Sequence, residues 1–237
     1  MVDNPRIPID NGLLAALAEE EFQRLVQHLE LVPLARGETL YEFCEHIRHV
    51  YFLHQNTLVS LLSTMEDGTS VEAGVVGNEG MVGIQAFLRA DATPHRAVVQ
   101  VPGNAMRMPV EALREEFDRG GVLQDLLLRY AHSLFTQVSQ TAACNHFHSV
   151  EERLSRWLLV IHDRVASKDL PLTQELISRR LGAHRSSVSE AAVLLHDEGL
   201  IRYSRGKMTV LDSERLKSVT CECYGIIRDE FDRTLGI

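Results

Sequence analysis

Residues 172–210 read LTQELISRRLGAHRSSVSEAAVLLHDEGLIRYSRGKMTV, and the order of signals in this stretch decides the fold of the C-terminal part. Thr173 is a typical N-cap for a first helix, and Gly182 suits the left-handed residue that ends it. A second helix begins near Arg185. After Gly199, two β-prone runs flank a short basic link, which predicts a hairpin. Two helices, a tight turn and a hairpin are the parts of a winged helix-turn-helix.

The charges of this stretch favour DNA as its ligand. Residues 176–188 contain three arginines and no acidic residue, and the tip of the hairpin is basic. In a helix-turn-helix, the start of the second helix meets base edges, while basic residues of a wing lie near phosphates. The predicted DNA contacts are Thr173, Arg179, Arg180, His184, Arg185, Ser186, Ser187, Ser189, Glu190, Arg205 and Lys207. The alternative is a packed helix pair and hairpin without a ligand.

Charge is unevenly distributed along the 237 residues. Residues 1–149 contain 10 Lys+Arg and 19 Asp+Glu, whereas residues 150–237 contain 14 of each, so the front part carries the whole net charge of −9. This asymmetry fits an acidic sensory or assembly module joined to a neutral module with a local basic face. No run is apolar and long enough to cross a membrane, and the first residues lack a secretory signal pattern, so we expect a cytoplasmic protein.

The remaining pattern predicts an α+β fold. Five β-prone runs between residues 38 and 109 are separated by turn signals such as Asp67-Gly68, which predicts an antiparallel β-roll. One amphipathic helix is predicted over residues 12–30, and helices resume at 110–117 and near Gly121. The predicted domains are a β-roll effector-type domain with flanking helices (1–120), a long dimerisation helix (121–148) and a winged helix-turn-helix domain (149–237).

The long helix contains a heptad-like apolar pattern. Its apolar positions alternate steps of four and three, as in the seam of a two-stranded coiled coil. A homodimer also suits a helix-turn-helix, because a twofold protein reads a palindromic site. The alternative is packing of this face on the chain's own sheet. The predicted seam residues are Leu127, Ala131, Leu134, Val138 and Thr141. A capping box at Ser149–Glu152 starts the next helix.

Together these features resemble the Crp/Fnr family of bacterial transcription regulators over nearly the whole chain. The resemblance is most specific in the DNA-binding segment, in Leu172-Thr-Gln-Glu, Leu181-Gly182, Arg185-Ser-Ser-Val188 and Gly199-Leu-Ile201 followed by a glycine-containing wing. It implies a homodimeric, sequence-specific transcription regulator that binds an inverted repeat in double-stranded DNA and contacts RNA polymerase. The β-roll would be a cyclic-nucleotide-binding-like effector domain, and neither catalysis nor a cofactor is expected.

The predicted effector pocket departs from that of the family's cyclic-nucleotide binders. Those relatives use a glutamate for the ribose hydroxyl and an arginine for the cyclic phosphate, but here Ile84 and His95 stand at the corresponding positions. A buried phosphate without its guanidinium loses a bidentate contact, so we expect an effector other than cyclic AMP. A shifted alignment would use Glu79 and Arg96 instead. The candidate pocket residues are Glu79, Gly80, Gly83, Ile84, His95 and Arg96.

Two further departures concern the second helix and the N-terminus. Relatives often show Arg-Glu and a later arginine in this helix, whereas this chain has Arg185-Ser186 and Glu190. Arg185 can contact guanine, but Glu190 would accept from a cytosine amine, so the operator should differ from the usual half-site. The oxygen-sensing branch carries an N-terminal cysteine cluster for iron–sulfur ligation, and no cysteine precedes Cys44 here.

The cysteine pattern predicts packing and no metal site. The four cysteines are Cys44, Cys144, Cys221 and Cys223. The last two lie in a predicted helix, where neighbours two apart point in different directions. Cys144 and His148 are one turn apart, but two ligands do not make a structural zinc site.

Two other functions compete with DNA-dependent regulation. The first is a β-roll sensor that acts through protein partners, and the second is a β-roll enzyme with a structural helical tail. No nucleophile, base and orienting group occur at a readable spacing, which disfavours the enzyme.

Overall fold

The computed structural model describes residues 10–90, 92–165, 169–170, 172–204 and 206–236. The chain begins with two short helices, α1 (Gly12–Ala15) and α2 (Glu19–Val26), so the single helix predicted over residues 12–30 is wrong. Each helix has its own start signal. The Asn11 carboxamide oxygen accepts from the Leu14 amide, and α2 opens with three glutamates, whose negative charge suits a helix N-terminus.

A β-roll follows. Within residues 30–109 the strands are β1 (Glu30–Leu34), β2 (Thr39–Tyr41), β3 (His49–Leu53), β4 (Leu58–Thr64), β5 (Ser70–Val76), β6 (Met81–Val82), β7 (His95–Val101) and β8 (Gly103–Pro109). They form two antiparallel sheets, in the orders β1-β8-β3-β6 and β2-β7-β4-β5. The five predicted runs are confirmed as β3, β4, β5, β7 and β8. Strands β2 and β6 are short and β1 contains Pro33 at a sheet edge, so these three lack a clear strand pattern.

Helices α3 (Val110–Asp118) and α4 (Val122–Phe147) follow the roll, as predicted, and α9 (Cys223–Leu235) packs beside α4. The apolar side of α9 enters the same core as the roll and α4. Phe52, Met106, Tyr130 and Phe231 all belong to this core. The last helix of the predicted DNA-binding region therefore packs in the core of the roll.

The second core belongs to the C-terminal region. It contains α5 (Val150–Arg164), α6 (Gln174–Leu181), α7 (Arg185–Asp197) and α8 (Ser213–Val219), together with strands β9 (Asp169–Leu170), β10 (Ile201–Ser204) and β11 (Lys207–Val210). The predicted capping box is present, because the Ser149 hydroxyl accepts from the Glu152 amide and the Glu152 carboxylate accepts from the Ser149 amide. Strands β10 and β11 form the predicted hairpin, and β9 adds a third strand beside β11.

Candidate DNA interface and effector cavity

The turn of the helix-turn-helix is built by local signals in the sequence. The Thr173 hydroxyl accepts from the Leu176 amide at 3.1 Å and so starts α6. Gly182 ends it at φ 58° and ψ 40°, a left-handed conformation that suits glycine. Ile177 of α6 and Val188 of α7 are fully buried, which holds the two helices together. Thr173 is thereby placed as a cap at the start of α6.

The first turns of α7 are presented to solvent. Arg185, Ser186 and Glu190 are exposed, as is His184 at the N-cap position. No described carboxylate lies within ion-pair distance of Arg185. This face has the exposure that base contacts require.

The other two serines predicted to contact DNA are less exposed. Ser187 is half-buried. Ser189 is also half-buried, and its hydroxyl lies within hydrogen-bond distance of two acceptors, the side-chain oxygen of Gln174 at 2.9 Å and the Arg185 carbonyl at 3.0 Å. The Ser189 hydroxyl therefore links α7 to the start of α6.

The two arginines at the end of α6 lie in different environments. Arg179 is exposed and pairs with Glu175, one turn earlier. Arg180 is largely buried, and its Nε lies 3.8 Å from the Glu72 carboxylate of β5. The prediction that Arg180 contacts DNA is wrong, because its side chain lies between the roll and the helix-turn-helix. Neighbouring positions on a helix point in different directions, and charge alone did not reveal which direction faces the roll.

The hairpin is placed as a wing beside the helix pair. Lys207 opens β11 with an exposed side chain, opposite Ser204. Gly206 adopts φ 76° at the tip. Arg205, the other basic residue predicted for the wing, lies outside the described residues.

A cavity of about 390 Å³ lies between the roll and α4. Its polar side chains are Tyr41, Gln85, Thr93 and His95, and its other lining side chains are apolar, including Ile84. Burial raises the pKa of Tyr41 to about 12 and lowers the pKa of His95, so both favour the neutral form. The described lining contains no arginine, lysine or carboxylate. The cavity therefore suits an uncharged ligand better than a phosphate.

Glycines shape the approach to this cavity. Gly83 lines it, at φ 102° before a short 3₁₀ helix over Ile84–Ala86. Gly80 packs under Tyr130, and a Cβ there would lie only 2.3 Å from the Tyr130 ring. Gly80 is therefore needed for packing of the roll against α4, and it is not among the described lining residues.

The two charged residues of the shifted alignment are engaged elsewhere. The Glu79 carboxylate accepts from Arg164 Nε of α5 at 2.7 Å and from the Gly77 amide at 3.0 Å. Arg96 Nε lies 2.7 Å from the Glu42 carboxylate. Neither Glu79 nor Arg96 is among the described residues that line the cavity.

The predicted seam of α4 is largely packed inside its own chain. Leu127, Leu134 and Thr141 are buried against the roll and the C-terminal region, so these three cannot form an open seam, and their prediction is wrong. Ala131 is half-buried and Val138 is partly exposed. The exposed apolar side chains on this helix include Leu128 and Phe135. The exposed apolar stripe of α4 keeps the predicted spacing of three and four residues but lies about one residue further along the helix. The predicted stripe is instead covered by the roll and the C-terminal region.

The cysteine region differs from the prediction. Cys221 lies in the turn before α9, not inside a helix, and this turn brings it to the end of α4. Cys144, His148, Cys221 and Cys223 place one potential ligand atom each within 4.8 Å of one another, and we call them the Cys/His cluster. The hydrogen bond from Cys221, with the charge of Arg156 as a lesser cause, lowers the pKa of Cys144 below its ordinary value. In the sequence, the spacings of Cys144 to His148 and of Cys221 to Cys223 were the available signal for a metal site. The two pairs come together only because the turn before α9 returns the chain to the end of α4.

No helix among the described residues combines the length and the apolar character needed to span a membrane.

Residues 31–119 match the model of the cyclic nucleotide-binding domain, and residues 152–219 match that of the Crp-like helix-turn-helix domain. The chain is similar to the CRP-like cAMP-activated global transcriptional regulator of Mycobacterium tuberculosis, with 23% identity over 86% of this chain and 94% of the relative.

Solved structures share the fold. FixK2 from Bradyrhizobium japonicum superposes with a TM-score of 0.70 at 15% identity, over 81% of this chain and 98% of that one. A Crp/Fnr-family transcriptional regulator from Eubacterium rectale gives 0.66 at 17% identity, over 87% and 96%. Three findings therefore agree: two domain models match this chain, a relative is similar along most of its length, and solved structures share its architecture. By its cyclic nucleotide-binding and Crp-like helix-turn-helix domains, the chain belongs to the Crp/Fnr family of transcription regulators.

Proposed function

We propose that this protein is a homodimer that binds an inverted-repeat operator and regulates transcription through contacts with RNA polymerase in the cytoplasm. The observation that carries the proposal is the exposed start of α7, where Arg185 faces solvent within a matched Crp-like helix-turn-helix. An arginine there is suited to a bidentate contact with guanine in the major groove. Lys207 of the wing would contact a phosphate. The proposed division is residues 1–120, 121–148 and 149–237, with α9 of the last packed on the first.

The proposed dimer seam is the exposed stripe of α4. Positions 128, 131, 135, 138 and 142 alternate steps of three and four, and their side chains are Leu128, Ala131, Phe135, Val138 and Ala142. Leu128 and Phe135 are 48% and 70% exposed, which is unusual for large apolar groups without a partner. A second copy of α4 would bury this stripe, as in a two-stranded coiled coil.

The proposed effector is a small uncharged molecule in the cavity beside α4. Support comes from the neutral polar groups of the lining and from the engagement of Glu79 and Arg96 elsewhere. Because Phe135 and Val138 belong both to the cavity lining and to the proposed seam, an effector there would act on the dimer contact. Calorimetric titration with cyclic AMP and cyclic GMP tests this, and saturable micromolar binding of either nucleotide would contradict it.

The test of the whole proposal combines DNA selection with sedimentation. We expect fragments enriched by the full chain to share one inverted repeat, and we expect their complexes to weaken as salt increases. Leu128→Asp should convert the dimer to a monomer and abolish specific binding, because each chain would desolvate a carboxylate in the seam. Arg129→Asp, an exposed change on the adjacent face, is the matched control. Enrichment without a common repeat, or a Leu128→Asp dimer, would refute the corresponding part.

A further inference from the structure

The Cys/His cluster joins two distant segments of the chain. Cys144 and His148 lie at the end of α4, whereas Cys221 and Cys223 lie at the turn into α9. The Sγ atoms of Cys144 and Cys221 are 3.6 Å apart, and Cys223 Sγ lies 3.5 Å from His148 Nδ1. A tetrahedral zinc ion holds two sulfurs about 3.8 Å apart, and a sulfur and a nitrogen about 3.6 Å apart. The spacing therefore suits a single ion.

The groups around the cluster are those that support metal ligands. His148 Nδ1 faces the cysteines, while its Nε2 lies 3.3 Å from the Glu222 carboxylate. A carboxylate on the far nitrogen fixes the tautomer in which Nδ1 is free to bind a metal. The Gln140 carboxamide also donates to Cys223 Sγ at 3.2 Å. Such N–H donors stabilise thiolates.

A disulfide, simple apolar packing and an iron–sulfur cluster each fit these four residues less well than a single ion. The 3.6 Å between Cys144 and Cys221 is far longer than a disulfide bond, and all cysteines are free thiols in this structure. The three cysteines of the cluster form a small group of their own, apart from both apolar cores. An iron–sulfur cluster inserts several iron and sulfide atoms between its ligands, so four donors within 4.8 Å are too close together for it.

We propose that the Cys/His cluster binds one zinc ion in a closed, tetrahedral, structural site. Three thiolates and one imidazole are a standard ligand set for structural zinc. Arg156 contributes positive charge near Cys144, which offsets part of the negative charge of three thiolates on a divalent ion. Glu222 acts as a positioning residue, because it orients His148 and does not itself belong to the ligand set.

The site would control the joint between the two parts of the molecule. Cys144 and His148 come just before Ser149, where α5 begins toward the helix-turn-helix. The ligands also hold the start of α9, whose far end packs in the core of the roll. A bound ion would therefore fix the direction in which α5 leaves α4. This role rests on the proposed function, since it sets the spacing of two recognition helices in a dimer.

The first test measures metal content in the full-length protein purified under reducing conditions. We expect about one zinc per chain, and the cobalt-substituted protein should show the intense visible bands of tetrahedral thiolate coordination. Cys221→Ser and His148→Gln should lose most of the bound metal. Cys44→Ser and His146→Gln, outside the cluster, are matched controls and should retain it. Wild-type protein that binds no zinc, contains iron in its place or carries a Cys144–Cys221 disulfide under these conditions would overturn the proposal.

Two further variants keep the result interpretable if a ligand variant fails to fold. His148→Cys preserves four ligands and should still bind zinc, with cobalt charge-transfer absorption that reflects four thiolates. Glu222→Gln should weaken zinc binding on the order of 10-fold through the orientation of His148. Failure of His148→Cys to bind metal, or unchanged affinity in Glu222→Gln, would contradict the assigned geometry.

The role at the joint has its own readout. Removal of zinc by a chelator should lower affinity for a selected operator, and added zinc should restore it. If the protein binds zinc but removal of the zinc leaves operator affinity unchanged, the proposed control of the joint is refuted while the metal site stands. A protein that binds zinc but no DNA would refute the proposed function and not the site.

Discussion

The two helices of the helix-turn-helix use their arginines in opposite ways. Arg180 of α6 is directed inward to Glu72 of β5, whereas Arg185 of α7, five residues later, faces solvent. The turn between them also contacts the roll, since a Cβ on Gly182 would lie 3.2 Å from the Val71 side chain. Helix α6 is thus an interdomain contact, and the exposed start of α7 is left for the ligand.

The contact made by α6 is a buried polar network. Trp157 of α5 donates its indole N–H to the Glu72 carboxylate at 2.5 Å, and Arg153 donates to the Leu181 carbonyl at the end of α6. Burial, opposed by the charge of Arg180, raises the pKa of Glu72, and burial lowers the pKa of Arg180. The ionised form of each side chain therefore carries a desolvation cost, which the charge of its partner offsets in part. The exposed charge of Arg185 has no such dependence.

The largest expected effect comes from Glu72→Leu. This change removes the acceptor of the Trp157 indole and leaves the Arg180 guanidinium buried without its counter-charge. Breaking one side of a buried pair costs about 3 to 5 kcal/mol, so the free energy of unfolding in urea should fall by that order. Glu66→Leu, on the exposed turn of the same hairpin, is the matched control.

The double variant Glu72→Leu/Arg180→Met separates charge from packing. Replacing both partners with apolar groups of similar volume should recover most of the lost stability. A Glu72→Leu protein as stable as the Glu66→Leu control would mean that α6 is not held by this network, and the contrast between the two helices would fail.

Arg185→Ala should have the next largest effect, on DNA and not on stability. If Arg185 reads a guanine, its loss should cost about 1 to 3 kcal/mol on the selected operator and flatten the preference at one base pair of each half-site. The measurement is binding to a panel of single-base-substituted operators, with urea unfolding as the control for folding. Equal weakening on every sequence would show that Arg185 contacts the backbone and not a base.

Local signals predicted the elements well, and tertiary placement explains the errors. Thr173, Gly182 and Ser149 act where the sequence placed them, because caps and left-handed turns depend only on neighbouring residues. Arg180 and Leu134 were misassigned because the face that each presents depends on how the roll docks, which no local spacing encodes. The Cys/His cluster was missed for the same reason, since residues 144 and 221 meet only through tertiary packing.

Glu72→Gln should change the pH dependence of stability by a smaller amount. Because burial raises the pKa of Glu72 above its ordinary value of 4.5, the folded protein holds this proton more tightly than the unfolded chain. The tighter proton binding stabilises the folded protein at low pH. The free energy of unfolding therefore decreases as pH rises from 4.5 through the raised pKa of Glu72. Glu72→Gln retains an oxygen for the Trp157 indole but does not titrate, so its urea stability should decline less over that range. Equal slopes in both proteins would contradict the assignment.

Lys207→Ala should have the smallest effect and extends the comparison to the wing. Lys207 is exposed at the start of β11, on a flexible side chain suited to a phosphate and not to a bidentate base contact. Its loss should weaken all sequences about equally and reduce the slope of log affinity against log salt by roughly 1 per contact, or about 2 per dimer. Lys217→Ala is the matched control, since Lys217 pairs with Glu214 on α8. Binding measured at two salt concentrations distinguishes the outcomes: a sequence-dependent loss would move Lys207 to the base-reading surface, beside Arg185.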